Sequence, residues 1–474
     1  MALAANPFGI NDKTDKASQD AIYKVIAPLY ESKAKDDIVV VLVDDNAITE
    51  LYEHGITNAN EWPLLYEDHA TILSRVARYG AKAVFVDVYF KRKRSTDNTF
   101  DRFKRRIQHH QEKYKTAFIF AGGYADETFS PLQKELSSIA TLSVNGWGDY
   151  GDAYPLKDKD QHSVAFDLYS IACLQGSPLA SCTEQTLLKQ QVKNGDAVSV
   201  RWGSQPAKPA FPEFVTGICT AETNSVLSMF QQILKGLVND IYNYGEPDDG
   251  EVRCPYQQVL LADNLMYIDK YGSPEQKTHL GNLLKNKLVF YGVQLEGLHD
   301  TIISPAHGAL PGVMFHAMAL DNLMTYGNRY IKGQSNIVDA LSYLAWAMLV
   351  LTIAGMLLWM ETRTHNFTQT IDTKNSAREH WVTKLHHLAH LRWPINVAGL
   401  IVVILFSYVQ FAYMRYEPLN SLSFLALTGL ISQLVHNDVS GHFYSWAIGM
   451  PARLKEAQGL KQSITGIIGR RMKE

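Results

Sequence analysis

The chain has 474 residues, enough for one large domain or two ordinary ones together with a membrane part. Its formal net charge of −3 argues against wholesale nucleic-acid binding, which needs a basic surface, and 46% hydrophobic residues exclude global disorder. A mean hydropathy of −0.14 hides a split: charge is concentrated before residue 335, and long apolar runs follow it.

The opening, Met1 to Lys35, is too polar for a signal peptide or a membrane helix, so a preceding segment is expected to direct export. Asp37 to Asp45 reads DIVVVLVDD, a continuous apolar run that predicts a strand buried on both faces, as in a parallel sheet. Leu64 to Tyr79 follows with helical spacing, since Leu65, Ile72, Leu73, Val76 and Ala77 share one stripe. Pro63 is expected in the first turn of that helix, with Trp62 packed beneath it. Gly80 stops the helix, and Ala81 to Phe90 is a second buried strand, completing a βαβ unit.

A basic stretch from Lys91 to Arg106 reads as a solvated face leading into a helix that ends near Lys115. Beyond it come a strand at Ala117 to Ala121, a helix at Ala165 to Leu174 and a strand at Ala197 to Trp202. A long helix at Asn224 to Tyr244, a buried strand at Asn286 to Val293 and a helix at Met314 to Tyr326 complete the pattern. The predicted class is α/β, a mostly parallel sheet with flanking helices. The four cysteines, Cys173, Cys182, Cys219 and Cys254, suit one or two disulfides or four buried thiols. Three pairings are open, with Cys173–Cys182 favoured on local grounds.

Three stretches have the length and apolarity of membrane spans: about 338–360, 394–413 and 422–435. Their connection, 361–393, carries Arg363, Lys374, Arg378, Lys384 and Arg392, and the tail, 438–474, is basic as well. The link between the second and third spans has only Arg415, so the connection and tail are predicted cytoplasmic and residues 1–335 extracytoplasmic. His380, His386, His387 and His390 read as the polar face of an interfacial helix. The tail forms an amphipathic helix suited to an anionic leaflet or a partner.

Candidate ligand-binding residues are Asp44, Asp45 and Asp87 at predicted strand ends, Asp300 after a further strand, Trp62 and His307. Carboxylates so placed can contact a ligand or cation, but capping of turns and helices is the commoner role. His316 reads as a core histidine satisfied by backbone, and His307 as an exposed loop residue. There is no Walker A sequence, GxSxG, HExxH or glycine-rich dinucleotide turn, so no catalytic residue, cofactor or resident metal is expected.

The order of segments resembles the CHASE2 sensory domain of bacterial membrane receptors. The resemblance rests on VVVLVDD (Val39 to Asp45), Trp62-Pro63, YGAKAVFVDVYF (Tyr79 to Phe90), LVFYGV (Leu288 to Val293), LHDTIISP (Leu298 to Pro305) and PGVMFHAMALDNLM (Pro311 to Met324). It implies an extracytoplasmic sensor, followed by three transmembrane helices, in a bacterial inner membrane. Family members usually carry an output domain, for which residues 438–474 are too few, so the expected partner is a separate effector or assembly protein. Self-association is open. A purely structural docking subunit is the alternative, and a metal-dependent hydrolase using Asp44, Asp87 and Asp300 is a weaker one.

Overall fold

The computed structural model describes residues 23, 27–147, 153–175, 182, 192–209, 211, 256–298, 300–332 and 415. The predicted helix at 224–244, the three spans, the connection 361–393, the tail 438–474, Cys219 and Cys254 lie outside these residues. Among the described residues no helix is long and apolar enough to cross a membrane.

The first half of the domain alternates strand and helix. It runs β1 (Ile38–Asp44), α1 (Asp45–Glu53), α2 (Tyr66–Arg78), β2 (Ala83–Val86), α3 (Phe100–Tyr114), β3 (Ala117–Tyr124), α4 (Pro131–Ser137) and β4 (Thr141–Gly146). Short pairings follow, β5 (Tyr154–Pro155), β6 (Lys157–Asp158) and β7 (Gln161–His162), then α5 (Val164–Leu174) and β8 (Ala197–Val198). The last part comprises β9 (Gln258–Leu261), α6 (Ala262–Tyr271), α7 (Pro274–Leu284), β10 (Leu288–Gln294), the hairpin β11 (Thr301–Ser304) and β12 (Gly308–Pro311), and α8 (Val313–Tyr326).

Six strands form one parallel sheet in the order β4-β3-β2-β10-β1-β9. Its central strands are apolar throughout because both faces are covered. Val39, Val41, Val84, Val86, Val289 and Tyr291 point to a layer containing α2, α3, α6 and α7. Val40, Leu42, Phe85 and Phe290 point to the opposite layer, which contains α5 and α8. A disulfide joins Cys173 of α5 to Cys182, with Cα atoms 4.7 Å apart.

The structure departs from the sequence reading at three elements. The Trp62–Pro63 bond is cis and α2 starts at Tyr66, so Pro63 lies ahead of the helix rather than in its first turn. The strand expected over Ala81 to Phe90 ends at Val86; Asp87 donates one more backbone bond to Tyr291, after which the chain turns away. The strand expected over Ala197 to Trp202 keeps only two ladder residues. Beyond them, the amides of Ser199 and Arg201 donate to the Ile331 carbonyl and the Asn322 side chain instead.

Gly292 on β10 faces Val313 at the start of α8. A methyl group there would lie 2.8 Å from Val313 side-chain carbons. Gly292→Ala is therefore expected to force the helix outward and destabilise the domain by about 1–3 kcal/mol, the usual cost of overpacking, as read by chemical denaturation.

Candidate cleft at the carboxyl edge of the sheet

In an open α/β sheet a crevice forms where neighbouring strands send their connections to opposite faces. β2 and β10 are such neighbours. From β2 the chain passes to α3 in one layer, and from β10 to α8 in the other. A cleft of about 550 Å³ opens beyond their carboxyl ends.

Asp87, the first residue after β2, lines the cleft and is only partly exposed. Its Oδ1 accepts a 3.2 Å hydrogen bond from the Asn145 side chain at the end of β4. The Asn145 oxygen in turn accepts from the Gly123 amide at 2.9 Å, which fixes which end of the amide faces the carboxylate. Burial pushes the Asp87 carboxyl up to about 6, a shift the Asn145 bond opposes without cancelling.

Asp300 reaches the same cleft from the loop after β10. Its carbonyl accepts from the Gly312 amide at 2.9 Å, and its Oδ1 lies 2.3 Å from where a Gly312 side chain would begin. Only glycine leaves room for that carboxyl at the start of α8. The residue as a whole is exposed, but its carboxyl, sheltered against Gly312, is raised above its ordinary range, first by burial and then by the Asp87 charge.

His316, in the first turn of α8, also lines the cleft, with 5% of its surface exposed. Its Nδ1 is 2.8 Å from the Tyr154 hydroxyl, whose oxygen accepts the Ala165 amide at 3.1 Å. Whichever of the two carries the shared proton, the pair fixes the orientation of the imidazole ring. Burial holds the ring neutral down to about 4, with the Asp300 charge opposing. His316 is thus a buried histidine, as the sequence suggested, but a phenol rather than the backbone satisfies it.

The outer wall is aromatic. Trp62 stands edge-on to His69 with ring centres 5.7 Å apart, and His69 packs on Phe90 at 5.5 Å. The His69 Nδ1 is paired with the Tyr291 hydroxyl at 2.9 Å, and burial lowers its pKa to about 3. Of the cations at the rim, Lys91 pairs with Glu127. Arg94 is turned inward onto Asp97 and the carbonyls of Pro63 and Leu64. Arg92 is exposed and makes no ion pair among the described residues.

Three of the residues proposed from sequence, Trp62, Asp87 and Asp300, therefore meet in one cleft. The others do not. Asp44 caps α1, accepting the Ala47 amide at 2.6 Å, and Asp45 accepts the Glu296 amide at 2.8 Å. Because β10 lies between β1 and β2, Asp44 is two strand spacings, about 10 Å, from the β2 end, and the triad of Asp44, Asp87 and Asp300 is not assembled. His307 is also misplaced by the sequence reading: it is 5% exposed and its Nε2 contacts the Gly203 carbonyl at 2.6 Å. Among the described residues, no three His, Cys, Asp or Glu side chains group as a metal site. His69, Arg92 and Asn145 are cleft residues that the sequence reading did not single out.

The sign of the Asp87 shift makes a stability prediction. An unfolded chain loses that proton near 3.8 and the native chain near 6, so the native state is progressively disfavoured as pH rises between those values. His316 acts oppositely: its contribution is complete above about 6.5 and is lost as pH falls toward 4. Asp87→Asn removes the first effect alone. The variant should match the parent near pH 4 and exceed it by ~1–2 kcal/mol at pH 7, as read by denaturation at each pH.

Comparison with known proteins places the chain, though not the cleft, within a family. No curated protein and no solved structure matches the chain. The CHASE2 domain matches over residues 2–357, and the family is one of extracellular sensory domains, typically extracytoplasmic parts of membrane proteins. The match covers well over half of the chain, which therefore belongs to the CHASE2 domain family.

Proposed function

We propose that the chain is a membrane-anchored extracytoplasmic sensor subunit whose cleft takes up a small ligand and whose output runs through a separate effector or assembly protein. The observation that carries this reading is the convergence of Asp87, Asp300 and His316 in a cleft of about 550 Å³, of the size that small-molecule sites have. Shifted groups of this kind cluster at functional sites, and the two raised carboxyls and the neutral imidazole support the reading on that ground.

The order of segments along the chain supports the reading. His316 lies near the start of α8, and Asp321, further along the same helix, accepts hydrogen bonds from Tyr30 and Ser32. Beyond α8 the chain runs on through Lys332 toward the first apolar stretch, 338–360. In this reading the stretches 338–360, 394–413 and 422–435 anchor the protein in a bacterial inner membrane. The basic connection 361–393 and the tail 438–474 are then the cytoplasmic surfaces offered to the partner.

The test is genetic. An Asp87→Ala allele should reproduce the phenotype of deleting the gene, whereas Lys93→Glu, at an exposed residue outside the cleft, should behave as the parent. Both proteins must first be found at parental levels in the membrane fraction. Equal and negligible effects would remove the cleft as the working site.

A further inference from the structure

The sensor reading above leaves the ligand's chemistry open, and the cleft narrows it. Asp87 has one side-chain partner, a neutral amide, and the Asp300 carboxyl has no hydrogen-bond donor among the described residues. The cleft thus holds two carboxylates with no cation of the protein's own between them. Lys91 and Arg94 are each committed to an acid, Glu127 and Asp97, neither of which lines the cleft. Arg92 is the one lining cation among the described residues without an acidic partner. A second observation points to a ligand: among the described residues no hydrogen bond is made by Nε2 of His316, a cleft-lining side chain 5% exposed whose other ring nitrogen pairs with Tyr154.

Trp62, Tyr66, Tyr89 and Phe90 are among the residues that line the cleft, and an ammonium is better accommodated beside aromatic rings than in an aliphatic pocket. Among the described residues no three His, Cys, Asp or Glu side chains group here as a metal site, and Asn145 turns its nitrogen rather than its oxygen toward Asp87, so a divalent cation is set against the zwitterion in the test below. A purely anionic ligand would face both carboxylates, and a purely cationic one would leave Arg92 unanswered. We infer that the ligand is a small zwitterion of the α-amino-acid type, its ammonium held by Asp87 and Asp300 and its carboxylate by Arg92. The His316 Nε2 hydrogen-bonds the same ligand, and Trp62 covers its apolar part.

The experiment uses the full chain in detergent or nanodiscs, with thermal unfolding and calorimetry as readouts. The probes are a mixture of the twenty protein amino acids, isoamylamine (amine without carboxylate), 4-methylpentanoate (carboxylate without amine), glucose and calcium chloride, each at roughly 10 mM, ten times a weak millimolar Kd. Binding of one or more amino acids is expected, weakened at least about tenfold by Asp87→Asn and by Asp300→Asn. Arg92→Gln should weaken the amino acid by a similar factor and leave isoamylamine unchanged. Absence of amino-acid binding, equal binding of 4-methylpentanoate, a response to calcium alone, or binding indifferent to both aspartate variants would each overturn the assignment. Glucose or 4-methylpentanoate binding that Asp87→Asn abolishes would reject the zwitterion while leaving the cleft as a sensory site. Loss of the sensory reading itself is seen separately, as an Asp87→Ala allele that behaves like the parent.

Discussion

The placement of β10 between β1 and β2 is the constraint on which the rest of the domain depends. β1 and β2 come early in the chain, yet each pairs with β10, over Ile38–Asp44 on one side and Ala83–Val86 on the other. The sheet therefore cannot close until residues 205 positions beyond β2 and 250 beyond β1 have been delivered (Ala83 and Ile38 both pair with Leu288), a non-local arrangement of the kind that slows folding. The same placement produces the cleft. Because α8 leaves β10 on the opposite face from the helices that follow β1 and β2, the carboxyl edge has an opening where a simple consecutive winding would have none.

What fills that opening is chemically costly to keep there. A carboxyl at Asp87 and an imidazole at His316, both shifted against their charged forms by burial, are worse for stability than an amide or an apolar ring would be. Residues that diminish stability in return for a working site are a recurrent feature of functional clefts. The surrounding groups are correspondingly firm. Asn145 is oriented by Gly123, His316 by Tyr154, and His69 by Tyr291, so the polar edges of the cleft do not have to be organised when a ligand enters.

The legible part of the fold was the part with a strong local signal. Runs such as DIVVVLVDD and NKLVFYGV announce strands buried on both faces, and the helical stripe after Leu64 announces α2. β4 and β9 went unread because they are edge strands with mixed polarity, and with β4 went Asn145. Two helices carried an unread signal: Ser130-Pro131 with Gln133 and Ser273-Pro274 with Gln276 are the same capping box, and both are formed. Strand order was not legible at all, since no local feature of NKLVFYGV says that it inserts between β1 and β2. That is why Asp44 seemed to sit beside Asp87. His307 was misjudged for a similar reason: SPAHG reads as a surface loop, but Trp202, Tyr256 and Gly203, distant in sequence, enclose it.

The proposed function requires the cleft to be open to the medium outside the cell, and Arg92, exposed on its rim, is the residue that can report it. The most direct measurement is labelling of an Arg92→Cys chain with a membrane-impermeant maleimide in intact spheroplasts, with the unsubstituted chain as background. The account predicts labelling at position 92 before any permeabilisation. Labelling that appears only after the membrane is opened would put the cleft on the wrong side and contradict it.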